Sequence, residues 1–170
     1  MIIGIAGKKQ SGKDTAAQVF VARGFTLDSF AAPIRAFVAH IIGEPITEEN
    51  KEAPIDWIDG KTPRQLMQTV GTEWGRSEHP EIWVRSLMRR VRPMAVVPDV
   101  RFENEARAIR DAGGIVIHVV RDGLPPRDRH ASEQGIQWRD CDWIVENNGS
   151  LDRFLREVES AADAILEVHA

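Results

Sequence analysis

Cysteine is nearly absent from this 170-residue chain. The single Cys141 can close no intramolecular disulfide, and no Cys/His cluster has metal-ligand spacing, so the composition predicts a reducing, cytoplasmic setting without structural zinc. Long apolar runs are missing too: no stretch reaches the roughly 20 residues that a membrane-crossing helix needs. The opening MIIGIAG is too short for a secretion signal before it meets a polar loop. Excess positive charge is also lacking, since 22 Lys and Arg against 26 Asp and Glu leave a net charge of −4, which speaks against a basic coat for nucleic acid. Lysine is confined to the first 61 residues, and Lys8, Lys9 and Lys13 fall in one short segment. Arginine carries the later positive charge, and its rigid fork suits phosphate oxygens. With 42% hydrophobic and 28% charged residues, the chain reads as one domain over residues 1–170.

What the chain does have is the run Gly7-Lys8-Lys9-Gln10-Ser11-Gly12-Lys13-Asp14-Thr15, between the apolar stretch Ile2–Ala6 and an alanine-rich helical pattern. Strand, loop and helix in that order read as a phosphate-binding loop for a nucleoside triphosphate. Glycines at both ends of a four-residue gap let successive backbone N–H groups turn inward, and the helix start adds the positive end of its dipole. Lys13 then reaches the outer phosphates. Against the general pattern G-x-x-x-x-G-K-[ST], Asp14 stands where a magnesium-binding hydroxyl is usual, and Thr15 comes one place later. An ordinary glycine turn is the plain alternative.

Alternating strand and helix patterns predict an α/β fold: a P-loop NTPase-type three-layer sandwich with a five-stranded, mainly parallel sheet and helices on both faces. Strands are expected at Ile2–Ala6, Phe25–Phe30, Met94–Pro98, Ile115–Val120 and Trp143–Val145. Helices are expected at Lys13–Ala22, from Pro33, at Pro63–Trp74, Pro80–Val91 and Glu103–Ala112, and after a Ser150 cap. In the last helix Leu151, Phe154, Leu155, Val158, Ala162 and Ile165 form one apolar stripe, which reads as core rather than a binding groove. Two excursions interrupt the alternation, an insertion over about 44–92, whose polar start Glu44–Lys61 reads as mobile, and a lid over about 121–139.

Four further places carry chemistry. In Thr62-Pro63-Arg64-Gln65 a capping box explains three residues, whereas Arg64 puts a cation in the first helical turn, against the dipole unless an anion sits there. A substrate phosphate would resolve that conflict. Asp99, at the carboxyl end of an apolar strand, points toward the ligand crevice of such a sheet, where it can hold magnesium or orient water; capping the next helix is its bland role. Arg101 can clamp phosphate there, and Glu105 either serves base or sugar or sits on the helix surface. The third place is the lid segment with Arg121, Arg127, Arg129 and His130-Ala131-Ser132-Glu133, able to bring positive charge over a triphosphate. Trp74 and Trp83 are the fourth; both fit a core, and only Trp83 is a weak candidate for the site.

On these residues the chain resembles the deoxynucleoside monophosphate kinases of tailed bacteriophages. The matching stretches are Gly12-Lys13-Asp14-Thr15, Arg64-Gln65-Leu66-Met67-Gln68 with Gly71-Thr72, Ile82-Trp83-Val84, Val97-Pro98-Asp99-Val100-Arg101 with Glu105, Val116-Ile117-His118-Val119-Val120-Arg121, and Asn148-Gly149-Ser150-Leu151. The resemblance accounts for Asp14, because Gly-Lys-Asp is the usual loop of that family. It implies transfer of the ATP γ-phosphoryl group to a deoxynucleotide 5′-phosphate, with ATP and Mg²⁺ as cofactors and segment 44–92 binding the monophosphate. Lys9 would lie between donor and acceptor phosphates, with Lys13, Arg101 and Asp99 in the catalytic group. Gln10, Ser11, Gly12, Lys13, Asp14 and Thr15 would hold ATP, Asp14 and Thr15 its magnesium, and Arg127 and Arg129 would close over it. Arg64, Gly71, Trp83, Asp99, Arg101 and Glu105 would meet the monophosphate. A small-molecule partner, no nucleic acid, no membrane, a homodimer left open and, for a phage-encoded chain, the host cytoplasm complete the implied picture. The chain is shorter than the well-known members between its second helix and Thr62, which leaves base preference open.

Other readings share the loop. A kinase similar to dephospho-coenzyme A or phosphomevalonate kinases would need Asp14 or Asp99 as base for an alcohol acceptor. A non-enzymatic nucleotide switch lacks the Asn-Lys-x-Asp guanine-reading tetrad, and a polynucleotide 5′-kinase lacks a basic track.

Overall fold

Five strands, β1 (Ile2–Ala6), β2 (Thr26–Leu27), β3 (Ala95–Val100), β4 (Ile115–Val120) and β5 (Trp143–Glu146), form one sheet in the order β2-β3-β1-β4-β5. All four pairings are parallel. The computed structural model describes residues 1–124, 136 and 142–169. It divides into two units, Met1–Ser29 with Met88–Ala170, and Phe30–Leu87.

In the first unit, α1 (Lys13–Ala22) and α7 (Leu151–Val168) cover one face of the sheet. Ile3 and Ile5, alternate residues of β1, join Ala16, Ala17, Phe20, Phe154 and Val158 in the main core. Each fully buried aromatic of this kind contributes about 1.5–3 kcal/mol by leaving water. The intervening Gly4 faces α6 (Glu103–Asp111) on the opposite side, where Ile109 packs so closely that a methyl on Gly4 would lie 2.6 Å from its Cδ1. Helices therefore flank both faces, as the alternation of elements predicts.

The second strand is shorter than the expected Phe25–Phe30 because its apolar ends serve as anchors off the ladder: Phe25 is buried edge-on against Phe20, ring centroids 5.6 Å apart. Asp28 then turns the chain, its carboxylate accepting from Ser29 N at 2.7 Å. That brevity lets Pro98 sit inside β3. Met94 O and Val96 O accept from Thr26 N and Asp28 N, so Pro98, two residues on, faces the side where β2 has already ended.

The second unit holds α2 (Ala32–Ile42), a 3₁₀ turn (Asp56–Ile58), α3 (Pro63–Gln68), a π-helical stretch (Thr69–Trp74), α4 (Gly75–Glu78) and α5 (Ile82–Met88, whose last residue belongs to the first unit). Segment 44–61, expected to be mobile, is tied down instead. Arg35 donates to Ile46 O at 3.0 Å, Asn50 Oδ1 accepts from Thr47 N at 2.7 Å, and Ile55 bridges to Lys61. The expected single helix Pro63–Trp74 is α-helical only to Gln68. Among the described residues no helix is long and apolar enough to cross a membrane.

Candidate active site

The loop after β1 is shaped by its glycines. Gly7 has φ 145°, and a Cβ there would lie 2.5 Å from Val119 O; Gly12 has φ 106°, and a Cβ there would meet Asn147 Nδ2 at 2.6 Å. Between them Gln10 adopts a left-handed φ of 65°, and Ser11 N closes the turn on Lys8 O at 3.1 Å. The first bond of α1 runs from Ala16 N to Gly12 O, so the N–H groups of Lys13, Asp14 and Thr15 come before the helical ladder, at the positive end of its dipole. Lys13 Nζ folds back to donate to Lys8 O at 2.6 Å. Ser11 Oγ is buried with no hydrogen-bond partner among the described residues.

Opposite the loop stand residues delivered by the ends of β4 and β5. Asn147 Nδ2 donates to Ser11 O at 2.8 Å, and Arg121 reaches Gln10 O at 3.4 Å. The two strand-end loops are pinned to each other: Asn148 Oδ1 accepts from Asp122 N at 2.8 Å, and Asn148 Nδ2 donates to Asp122 Oδ2 at 2.9 Å. The resulting cleft of about 370 Å³ is lined by Gln10, Gly12, Lys13, Asp14, Thr15, Arg121, Asn147, Gly149, Leu151 and Phe154. This corrects the reading of the α7 stripe as core alone. Leu151 is 61% exposed and faces the cleft with Phe154, because the first turn of α7 starts beside the loop. Asn147, Gly149, Leu151 and Phe154 line this cleft without being among the candidate site residues of the sequence, where the stretch Asn148-Gly149-Ser150-Leu151 is the available signal.

At the same edge of the sheet, the register Ala6↔Val100 sets the end of β3 beside the start of the loop. Asp99 lies within β3 and does not cap α6, whose N-cap is Phe102; Asp99 and Arg101 are both half-buried. Glu105 is not on the helix surface, one of the two places the sequence offered for it. It is buried, and its Oε2 accepts from the backbone N–H groups of Arg101 at 2.8 Å and Phe102 at 3.1 Å, fixing the turn that carries Arg101.

In the second unit Thr62 and Gln65 form the expected capping box. Arg64 already has an anion nearby, with NH1 3.7 Å from Glu52 Oε1, so the helix dipole by itself does not call for a phosphate. Trp83 is buried, its Nε1 donating to Gly71 O at 2.6 Å, so both residues are engaged with each other. Trp74 is 53% exposed, against the expectation of core. Arg127, Arg129 and His130 lie outside the described residues.

A parallel sheet with its first strand feeding a glycine loop and helix is the architecture of the P-loop kinases. Dephospho-CoA kinase from Campylobacter jejuni shares it, with a TM-score of 0.55, coverage of 99% of this chain and 98% of that one, and 14% identity, a likeness of fold alone. The sequence profile of the family described as deoxynucleotide monophosphate kinase matches residues 46–158. A protein of Acanthamoeba polyphaga mimivirus that provisionally carries that name is 34% identical over 96% of both chains. The deoxynucleotide monophosphate kinase of Escherichia phage RB69 is 31% identical over 66% of this chain and 49% of its own length. The chain belongs to the deoxynucleotide monophosphate kinase family.

Proposed function

We propose that the protein transfers the γ-phosphoryl group of ATP to the 5′-phosphate of a deoxynucleoside monophosphate, releasing ADP and the diphosphate. The observation that carries this reading is the loop Gly7–Gly12, held by Asn147 and opening with Lys13 into the cleft, in a chain of this family. The donor phosphates lie along the N–H groups of the loop and of the start of α1, and Lys13 Nζ exchanges Lys8 O for the outer phosphate oxygens. The donor nucleoside packs on Leu151 and Phe154 beside Arg121.

Lys9, Asp99, Arg101 and Arg64 serve the acceptor side. The second pKa of a phosphate monoester is about 6, so at neutral pH the acceptor oxygen is already anionic. It attacks the γ-phosphorus as the bond to the ADP oxygen breaks, and no protein base has to remove a proton. What remains for the protein is alignment and neutralisation of charge, which cations supply. Glu105 acts indirectly, holding the backbone of Arg101.

Asp14 and Thr15 place a carboxylate and a hydroxyl on the cleft, a donor pair that suits Mg²⁺ held mostly by phosphate oxygens and water. When bound, the ion neutralises phosphate charge. Asp14→Asn is therefore expected to raise the magnesium concentration that half-saturates turnover; a metal titration superimposable on the wild type would count against this role.

A coupled assay of ADP release against a panel of deoxynucleoside and ribonucleoside monophosphates tests the activity. ATP hydrolysis that no monophosphate stimulates would overturn it. The division between the two phosphate sites is checked by titration: Arg64→Ala and Arg101→Ala should each weaken monophosphate binding by about 1.5–3 kcal/mol, the value of a charged hydrogen bond, and leave an ATP analogue nearly unaffected. Equal losses for both ligands would refute that division.

A further inference from the structure

Several polar groups of the second unit are engaged within its own fold. Thr62 and Gln65 cap each other's backbone, Trp83 Nε1 is taken by Gly71 O, Arg64 N by Lys51 O, and Ser77 Oγ donates to Trp74 O. Gln68 is different. Its Nε2 is buried and has no hydrogen-bond partner among the described residues, a condition shared only with Ser11 Oγ in the phosphate loop. A buried amide donor with nothing to donate to is rare because its desolvation is not offset. Where one persists, a ligand atom is a natural partner.

Two more observations place that partner on the acceptor nucleotide. Gln68 is the last residue of α3, where the α-helix passes into the π-helical stretch Thr69–Trp74. Such wider turns are rare and are frequently found at functional sites. Gln68 also follows Arg64 by one helical turn, on the same face. The rise of about 6 Å over four residues sets the two side chains apart along the helix, as phosphate and base are set apart along a nucleotide. A carboxamide has no charge with which to balance a phosphate, but its paired donor and acceptor complement the carbonyl, ring-nitrogen and amino groups of a base edge.

We infer that Gln68 reads the nucleobase of the acceptor, donating from Nε2 to a carbonyl oxygen or ring nitrogen and so setting base preference. This rests on the reading of the chain as a deoxynucleoside monophosphate kinase. Gln68→Met keeps length and bulk while removing both polar atoms; Gln68→Glu keeps the shape and removes the donor. Calorimetric titrations of wild type and both variants with each common deoxynucleoside monophosphate, and with an ATP analogue, test it. Both variants should bind the preferred monophosphate about tenfold more weakly or worse, with the spread among bases narrowed and the ATP analogue unaffected. Wild-type affinity of Gln68→Met for every base, with a raised melting temperature, would overturn the inference and mark the amide as a packing cost. So would equal losses for all ligands in both variants. If the wild type binds no deoxynucleoside monophosphate, the kinase reading itself fails, a result distinct from any of these.

Discussion

Lys13→Ala is expected to lower turnover by roughly 10²–10³, the usual loss when one preorganised electrostatic donor is removed. The ammonium group sits 2.6 Å from Lys8 O, folded over the loop proposed to receive the phosphates, where phosphate oxygens of higher charge can take the place of that carbonyl oxygen. That exchange gains most as charge develops on the transferred group, which places the loss in turnover more than in substrate binding. Stopped-flow measurement of a single turnover, beside a thermal melt of the variant, separates the two. Near-normal turnover in a folded Lys13→Ala protein would remove the loop from the chemistry.

Trp83→Ala is expected to destabilise the second unit by about 3–5 kcal/mol, as aromatic-to-alanine changes in cores do. The indole is buried, donates to Gly71 O at 2.6 Å, and packs so tightly on Gly75 that a Cβ there would lie 2.4 Å from Cζ2. Trp83→Phe retains most of the apolar surface and should cost nearer 1 kcal/mol for the hydrogen bond. Urea denaturation gives both values. The pair also decides whether Trp83 reaches the substrate. If it acts only through the fold, Trp83→Phe keeps the wild-type KM for monophosphate; a raised KM at unchanged stability would mean that the indole is a platform for the base.

Most of the fold was legible because its signals are local. Ile2–Ala6, the glycine loop and the alanine-rich start of α1 lie within about one strand and two helical turns of each other, so phosphate-loop chemistry could be read without tertiary information. Boundaries failed where distant neighbours overruled a local pattern. Phe25 and Phe30 resemble strand residues but are buried outside the two paired positions of β2, and Pro63–Trp74 changes helical form at Gln68 for reasons no periodicity reveals.

Sequence by itself determined the phosphate loop: glycines at both ends of a short gap and the lysine that follows are enough to read it, because N–H groups, a helix dipole and a charge act over a few residues. Tertiary structure decided which other groups join them. Parallel pairing of β1 with β4, and of β4 with β5, brings Arg121, Asn147 and Leu151 to a loop more than a hundred residues earlier. Glu105 is buried with its carboxylate on the backbone of Arg101, and packing gave Arg64 a carboxylate neighbour in Glu52. Whether a polar side chain is spent on the fold depends on what stands within hydrogen-bonding distance: Glu105 meets N–H groups three and four residues away, within reach of a local pattern, whereas Arg64 meets Glu52 and Asn147 meets Ser11 only because the folded chain brings them together.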